Sequence, residues 1–400
     1  MVTLPKTCKD VGELLSSELK SQKQENRECL LKILSNLRFL ARQGLPTRGS
    51  SDDHDSNFFQ LMKLRGEDDS RIAEWLAKKT DKYISHDMQN ELLKVMALTI
   101  LREIASSIDQ SKFISIMCDE CTDESNREQL AICIRWLNRD LEPQEDVIGL
   151  YKVDDITADT IAAVIRDTLK RMNLSMSKCR GQCYDGASNM SGAKKGVAKQ
   201  LMADEPRALF LHCHGHALNL AAGDAIKQCK VMQDALDTTS EVSKLVKYSP
   251  KRDTMLEKLK EKLAPDSPGF RVLCPTRWTV RASSLKSVLD NYAVLQELWI
   301  AAKACTSDPT TKSRIVGVAS QFKSFRYLYG VALGELVLRH TDNLSKSLQS
   351  PKLSAAEGER MAQKTIATLQ TLRDEAKFDL FWERLLAQQS SLDVDSPELP

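Results

Sequence analysis

A short apolar segment that ends in an acid and continues directly into small residues constrains the fold of this chain most. Residues 181–192 read Gly-Gln-Cys-Tyr-Asp-Gly-Ala-Ser-Asn-Met-Ser-Gly, so that Asp185 closes the apolar run. The small and turn-forming residues that follow let the backbone fold sharply. The sequence therefore predicts that Asp185 lies at the tip of a β-strand rather than inside a packed face.

A second acid has a similar setting upstream. Residues 113–119 read Phe-Ile-Ser-Ile-Met-Cys-Asp, an apolar run that ends in Asp119. Two carboxylates brought side by side by one sheet are suitable ligands for Mg²⁺ or Mn²⁺, which are hard cations that prefer oxygen. The alternative is that both acids are ordinary strand-tip residues in contact with solvent, and the residues alone leave both interpretations open.

The periodicity of the middle of the chain predicts a mixed α/β sheet with the order β-β-β-α-β-α-β. The crossover helix is capped by Thr157, and a right-handed crossover would return the fourth strand parallel to the first. That arrangement places Asp119 and Asp185 at adjacent strand ends. The predicted strands cover 113–118, 130–137, 146–152, 178–184 and 208–212, and further helices cover about 193–202 and a segment that starts near His216.

The remaining sequence has helical periodicity, which predicts three regions. A helical N-terminal region covers 1–109, the α/β core covers 110–228, and an all-helical region covers 229–400. Gly66 is expected to separate two short N-terminal helices. The predicted helices cover a segment up to Gly44, then 58–65, 69–79, 86–109, 217–228, 230–247, 252–263, 281–305, 311–349, 354–376 and 377–389.

Charge and cysteine content narrow the class of protein. The 400 residues carry 57 Lys and Arg against 55 Asp and Glu, so global charge does not indicate a nucleic-acid partner and any basic surface must be local. No stretch approaches the roughly 18 apolar residues of a membrane span. The N-terminus lacks a secretory signal, and eleven irregularly spaced cysteines are typical of reduced thiols. These features predict an intracellular protein that is neither secreted nor membrane-bound.

Two cysteine- or histidine-rich segments offer zinc as a competing interpretation. Cys118 and Cys121, together with Cys179 and Cys183, have spacings that would suit a Cys₄ zinc site. Cysteines inside apolar strands more often behave as small buried hydrophobes. The segment 212–216, His-Cys-His-Gly-His, could also supply zinc ligands, with Asn219 on the same helix face, or it could be a packed corner between strand and helix.

The segment Thr-Arg-Trp at 276–278 is a candidate nucleic-acid contact. A guanidinium at Arg277 next to the indole of Trp278 suits a phosphate and an unstacked base. The alternative is a core tryptophan with a neighbouring arginine.

Taken together, four segments resemble the motifs of hAT-superfamily transposases in order and approximate spacing. The resemblance is greatest to their host-domesticated relatives, the zinc finger MYM-type and 52 kDa repressor-like proteins, and it covers roughly residues 25–390. The segments are 118–123 (Cys-Asp-Glu-Cys-Thr-Asp), 184–192, 213–220 (Cys-His-Gly-His-Ala-Leu-Asn-Leu) and 274–278 (Cys-Pro-Thr-Arg-Trp).

The resemblance implies an RNase H-like mixed sheet with N-terminal helices and a large all-helical insertion. It implies that Asp119 and Asp185 are the first two catalytic acids and bind Mg²⁺ or Mn²⁺. Cys213 and His216 would then lie near the DNA strand, and Trp278, with Arg277 beside it, would stack on a base flipped out of the DNA. The implied chemistry is metal-dependent DNA cleavage and strand transfer by a nuclear protein.

Two departures from the family pattern limit that expectation. The first hundred residues contain no zinc-finger pattern, and no Ser-x-Glu-Arg-like motif supplies the third acid; Glu335 and Glu383 sit in no matching motif. The sequence therefore predicts that the C-terminal dimerisation segment is missing, that catalysis is incomplete or lost, and that dimerisation is undecided. The alternatives are a non-enzymatic module that binds DNA or protein, like a transcriptional regulator, and a cysteine-rich structural zinc protein.

Overall fold

The computed structural model describes residues 17–49, 53–79, 82–123, 125–271, 273 and 280–398. The chain divides into two compact units, Met1–Asp109 and Gln110–Pro400. Each unit has its own apolar core.

The first unit is helical in the residues that the structure describes. Its core is formed mainly by Ile33, Leu37, Phe58 and Met62, which are at most 1% exposed. Its helices are α1 (Ser17–Gln43), α2 (Asn57–Asp68), α3 (Ser70–Ala77) and α4 (His86–Asp109). The bounds of α4 are those that the sequence predicts.

The predicted helix break at Gly66 is wrong, because Gly66 lies inside α2. The chain breaks instead at Asp69, which has an extended backbone between α2 and α3. The Asp69 carboxylate accepts the backbone N–H of Arg71 at 3.1 Å and so caps α3. A capping side chain therefore sets this boundary, and glycine does not.

The second unit begins with a five-stranded mixed sheet. Its strands lie in the spatial order β3-β2-β1-β4-β5, with β1, β2 and β3 antiparallel and with β4 parallel to both β1 and β5. The strands are β1 (Ile114–Thr122), β2 (Glu128–Leu137), β3 (Pro143–Lys152), β4 (Cys179–Tyr184) and β5 (Leu209–His212). The predicted mixed sheet, with its fourth strand parallel to the first, is confirmed.

Helices connect the parallel strands. Helix α5 (Ala158–Arg171) forms the crossover from β3 to β4, and the Thr157 hydroxyl accepts the N–H of Thr160 at 3.4 Å, as expected of its cap. The segment between β4 and β5 holds a single turn, α6 (Ser188–Ser191), and then α7 (Val197–Asp204). This second helix starts later than the predicted residue 193. Helix α8 (His214–Gln228) follows β5.

The two faces of the sheet differ in burial. Ile116, Ile132 and Ile134 on one face are fully buried. The opposite face carries the paired residues Asp119 and Ala131 and keeps large apolar side chains 57–61% exposed. These exposed residues are Val147, Leu150, Leu209 and Leu211. The face that bears Asp119 is therefore the more accessible one.

The rest of the second unit is helical, which confirms the predicted fold class of an α/β core with N-terminal helices and a large all-helical C-terminal region. Its core is built around Tyr292, Trp299, Phe322 and Leu328, which are at most 1% exposed. The helices are α9 (Lys230–Lys247), α10 (Pro250–Leu263), α11 (Arg281–Asp290), α12 (Tyr292–Cys305), α13 (Pro309–Lys323), α14 (Phe325–Leu348), α15 (Ala355–Thr371) and α16 (Glu375–Gln389).

Two long helices predicted for this region are wrong. The segment 281–305 is divided at Asn291, and the segment 311–349 is divided at Ser324. Asn291 is 1% exposed, and its amide nitrogen donates to the carbonyl oxygen of Pro268 at 3.2 Å while its amide oxygen accepts from Ser267 at 3.0 Å. The side chain of Asn291 thus binds a neighbouring loop, which fixes the corner between α11 and α12. Among the described helices, none is both long and apolar enough to cross a membrane.

Candidate functional site

The structure brings the two predicted acids to one edge of the sheet. The parallel pairing of β1 with β4 ends at Met117 and Cys183, and Asp119 and Asp185 each lie two residues beyond that pair. The sequence predicts Asp119 at the tip of a strand, and this is wrong. Asp119 lies inside β1, because β2 continues the antiparallel pairing past it. Relative to β4, however, it occupies the position expected, beyond the last parallel pair.

The electrostatics of Asp119 agree with this proximity. Burial raises the pKa of the Asp119 carboxyl, and the negative charge of Asp185 raises it further. A hydrogen bond from the N–H of Glu120 and the nearby imidazole of His216 oppose that rise. The two acids therefore repel each other, and a bound cation would relieve that repulsion.

Glu120 is a third carboxylate at this edge that the sequence analysis did not select. Its pKa is raised by burial and by the charge of Asp185, and the amide nitrogen of Asn189 donates a hydrogen bond to it at 3.1 Å. Asn189 also donates to the carbonyl oxygen of Ile156 at 2.9 Å. The position of Asn189 in the turn after Asp185 is visible in the sequence. Its hydrogen bond to Glu120 is not, because that contact depends on the register of β1 against β4.

The turn after β4 holds the Asp185 carboxylate in place. Its Oδ1 atom accepts the N–H of Ala187 at 3.1 Å, which is the local hydrogen bond expected of an aspartate turn. A Cβ atom at Gly186 would lie 2.8 Å from both Cε1 and Nε2 of His212, so that no larger residue fits between the turn and β5 without movement. His212 thus packs directly against the turn that carries Asp185.

Cys213 and His216, which the sequence selects as candidate DNA contacts, lie beside this edge. Cys213 is the N-cap residue of α8, and the Cys183 thiol hydrogen-bonds to its sulfur. That hydrogen bond lowers the pKa of Cys213, and the backbone N–H groups of His216 and Gly215 lower it further. The same thiol–thiol contact raises the pKa of Cys183, and burial of Cys183 adds to the rise. Cys213 is therefore the more acidic thiol of the pair. Its role in binding DNA remains a prediction.

Neither of the zinc sites that the sequence leaves open forms among the described residues, in which no group of three or more His, Cys, Asp or Glu side chains is placed to hold a metal ion. The proposed Cys₄ site fails because Cys179 pairs with Ile114 at the start of β1. Cys121 lies seven residues further along that strand, which is roughly 23 Å at the usual rise per residue. In the segment 212–216, His212 and His216 have ring centroids 5.8 Å apart and pack against each other.

The oxygen donors at the sheet edge suit a different metal. Mg²⁺ keeps several water ligands and is commonly bound by one or two carboxylates together with substrate phosphates. Asp119 and Asp185 provide that number of carboxylates. Glu335 lies on α14 and Glu383 on α16. The Oε1 atom of Glu335 forms an ion pair with Nε of Arg339 on the same helix, at 3.7 Å. Neither belongs to a metal-binding group among the described residues.

Arg277 and Trp278, the predicted nucleic-acid contacts, lie outside the described residues. The helix that follows them, α11, is capped from another helix. The carboxylate of Asp342 on α14 accepts the N–H of Ala282 at 3.0 Å and is only 8% exposed. Arg281 is half-buried beside it, where burial lowers the pKa of Arg281 and the charge of Asp342 opposes that effect. Asp342 therefore fixes the start of α11.

Replacing Asp342 with alanine is expected to lower the free energy of unfolding by about 1–2 kcal/mol, because it removes the cap and leaves a buried N–H without an acceptor. Asp342→Asn should cost less, because the amide oxygen still accepts that hydrogen bond. Urea denaturation of the two variants measures the difference, with Asp379→Ala on the exposed surface of α16 as the control. Equal stability of the alanine and asparagine variants would contradict the capping role.

Comparison with known proteins finds similarity to one family model and to curated proteins. Residues 2–196 match the family model described as DUF4371, ZMYM1/FAM200, RNase-like domain. The human protein named "52 kDa repressor of the inhibitor of the protein kinase" is 24% identical over 351 residues, which cover 82% of this chain and 45% of that protein. The mouse protein of the same name is 24% identical over 352 residues, which cover 82% of this chain and 46% of that protein. The chain thus spans less than half the length of these curated relatives, and its sheet lies partly within the RNase-like match.

Proposed function

We propose that this chain is a hAT transposase-derived, nucleic-acid-associated protein of the nucleus that presents a two-carboxylate metal site to a nucleic-acid backbone. The observation that carries the proposal is the placement of Asp119 and Asp185 just beyond the last parallel pair of β1 and β4. The RNase-like match over residues 2–196 and the four motifs in hAT order support it. The repressor name of the curated relatives is consistent with a nuclear role.

In this proposal Asp119 and Asp185 would hold Mg²⁺ or Mn²⁺. Such a metal activates a water nucleophile and stabilises the leaving oxygen of a phosphodiester. The two carboxylates would orient the ion and Glu120 would add negative charge beside it, while Asn189 holds Glu120 in position by its hydrogen bond. Cys213 and His216 are proposed to lie along the nucleic-acid strand, and Arg277 and Trp278 to contact a phosphate and an unstacked base.

A second candidate function is a non-catalytic module that binds DNA or a protein partner. It is favoured by one specific observation: among the described residues Asp119 and Asp185 belong to no group of three or more His, Cys, Asp or Glu side chains that is placed to hold a metal ion. Two carboxylates can hold a hydrated cation without assembling a complete cleavage centre, and in this second function the binding surface does not depend on that cation. Binding without cleavage is therefore the expected behaviour if the ancestral activity is lost.

The experiment that separates these functions measures nicking of supercoiled plasmid and binding of duplex DNA with Mn²⁺, for the wild type and the Asp119→Ala and Asp185→Ala variants. Catalysis predicts nicking that both variants lose. The binding module predicts a DNA complex that persists in both variants without nicking. Asp154→Ala, a control whose side chain is 91% exposed in the loop after β3, should behave as the wild type. Absence of both nicking and DNA binding would refute the nucleic-acid proposal.

A further inference from the structure

The N-terminal unit contains an open cavity that has no part in the site at the sheet edge. Its volume is about 550 Å³, which falls within the range of small-molecule pockets. The wall is built from the starts of α2 and α4 and from the described residues between α3 and α4, which are Lys79 and residues 82–85. We call this space the N-terminal cavity.

Two helix N-termini meet at the N-terminal cavity. Ser56 caps α2, where its hydroxyl accepts the N–H of Phe59 at 3.2 Å, and both residues line the wall. Ser85 occupies the equivalent position before the 24-residue helix α4, where its hydroxyl accepts the N–H of Met88 at 3.4 Å. Helix N-termini carry partial positive charge and attract anions. Because two helix N-termini lie at this one cavity, an anionic ligand is favoured.

The charged side chains that line the N-terminal cavity have the same sign. Lys79 and Lys82 both line it, and no acidic side chain of the described residues does so. The ammonium group of Lys82 donates to the carbonyl oxygen of Leu76 at 2.7 Å, which holds this lysine at the wall. Asp55 and Asp87 are sequence neighbours of lining residues but do not line the cavity themselves.

A buried amide without a complete set of partners supplies an independent indication of a ligand. Gln89 lines the cavity and is only 4% exposed. Its amide nitrogen donates to the carbonyl oxygen of Ile84 at 2.8 Å, whereas its Oε1 atom has no hydrogen-bond partner. Buried polar atoms of folded proteins are nearly always hydrogen-bonded. The Gln89 oxygen is therefore an acceptor left open in the described residues, and an N–H or O–H donor of a bound molecule would satisfy it.

The backbone at Tyr83 is strained in a way that favours the same conclusion. Its φ angle is +54°, which is unusual for a bulky residue and often marks a ligand site. The Tyr83 ring stacks on Trp75 with centroids 6.4 Å apart, and the Trp75 indole donates to the carbonyl oxygen of Lys82 at 2.7 Å. These contacts hold Tyr83 at the cavity wall, where Phe59 also lies. The aromatic walls suit a planar group.

From these observations we propose that the N-terminal cavity binds a phosphorylated planar heterocycle, such as a nucleoside monophosphate. The phosphate would lie at the N-termini of α2 and α4 near Lys79, and the ring would lie against Tyr83 and Phe59. An exocyclic amino group on the ring would donate to Gln89. Free nucleotide and the 5′-phosphorylated end of a nucleic-acid strand share this chemistry. The inference does not depend on the function proposed for the sheet edge.

Isothermal titration of the full 400-residue chain with adenosine 5′-monophosphate tests the proposal. The nucleotide is expected to bind with a stoichiometry of one, at least about tenfold more tightly than adenosine or inorganic phosphate, because each lacks one set of contacts. A 5′-phosphorylated deoxyadenosine oligonucleotide and its unphosphorylated counterpart distinguish the two sources. Tight binding of the phosphorylated strand together with weak binding of the free nucleotide would assign the site to strand ends.

Variants of the cavity wall give the matched controls. Gln89→Leu should weaken nucleotide binding about tenfold, since a buried acceptor is lost. Lys79→Glu should weaken the nucleotide but not adenosine, and Lys94→Glu, an exposed change on α4 outside the cavity wall, should alter neither. Thermal melting by circular dichroism verifies that each variant is folded. Asp119→Ala and Asp185→Ala should leave nucleotide binding unchanged, which separates this test from that of the sheet edge.

Three outcomes would overturn the proposal. The first is no binding of either the nucleotide or the phosphorylated strand by the folded wild-type chain at millimolar concentration. The second is equal binding by the wild type, Gln89→Leu and Lys79→Glu, which would place the ligand elsewhere. The third is binding of inorganic phosphate as tight as that of the nucleotide, which would leave the heterocycle without a role.

Discussion

The Asp119→Asn, Asp185→Asn double variant is expected to bind Mn²⁺ more than about 100-fold more weakly than the wild type, since loss of outer partners alone costs roughly 10- to 100-fold. The same variant should melt at a higher temperature than the wild type in the absence of metal. The reason is that the two carboxylates repel each other and that burial and Asp185 raise the pKa of Asp119. Titration calorimetry with Mn²⁺ and thermal melting in chelator measure the two effects.

The dependence of both quantities on pH follows from the direction of the pKa shifts. The pKa of Asp119, which the double variant lacks, is raised in the folded chain, so the folded state holds this proton more tightly than the unfolded state. The metal-free wild type should therefore lose stability relative to the double variant as the pH rises from the ordinary carboxyl pKa through the raised one. Mn²⁺ affinity should rise over the same interval, because the cation binds the ionised carboxylates.

Asp154→Asn serves as the control, because its side chain is 91% exposed and pairs only with Lys152 among the described residues. It should change neither Mn²⁺ affinity nor the pH dependence of melting. Undiminished Mn²⁺ binding by the double variant would place the metal away from the sheet edge. A lower melting temperature of that variant in chelator would show that the two carboxylates do not repel each other in the folded chain.

The Gly330→Ala variant is expected to lose about 3 kcal/mol of unfolding free energy, a large effect for one methyl group. Gly330 lies within α14 where that helix crosses α9, and a Cβ atom there would lie 2.6 Å from the backbone oxygen of Val231 and 3.0 Å from Cβ of Ala235. A backbone oxygen inside a helix cannot move away as a flexible side chain can. The two helices must therefore separate. Urea denaturation measures the loss.

Gly317→Ala is the matched control, because Gly317 lies within α13 and a Cβ atom there would meet nothing within 4 Å. The alanine should stabilise the chain by about 0.5–1 kcal/mol, as expected for removing glycine from a helix interior. The two glycine substitutions thus have opposite signs. A stabilised Gly330→Ala variant would mean that α9 and α14 do not pack at this distance.

Features of the fold that depend on local sequence could be predicted. The periodicity of residues 86–109 gave α4 with its exact bounds, and Thr157 caps α5 as expected. The order of apolar segments and one right-handed crossover were enough to place β4 beside β1 and so to bring Asp119 near Asp185.

Features that depend on contacts between distant segments could not be predicted. The helical corner at Asn291 has no proline or glycine to mark it, because the asparagine amide binds the loop at Ser267 and Pro268 instead. The spacing of the four cysteines could not by itself exclude a Cys₄ zinc site, because the separation of Cys121 from Cys179 depends on how β1 pairs with β4. The contact of Asn189 with Glu120 spans 69 positions and depends on strand register.

The parallel pairing of β1 with β4 also governs when the acidic edge comes into existence during biosynthesis. Asp119 and Asp185 are 66 positions apart, and the β2–β3 meander and α5 must all be made between them. At the usual rate of synthesis, roughly 5–20 residues per second, a nascent chain carries Asp119 for several seconds before Asp185 leaves the ribosome. The pairing of β1 with β4 can form only after that. A nascent chain that lacks Asp185 carries only one of the two acids, so metal uptake at this edge would report that β4 has paired with β1.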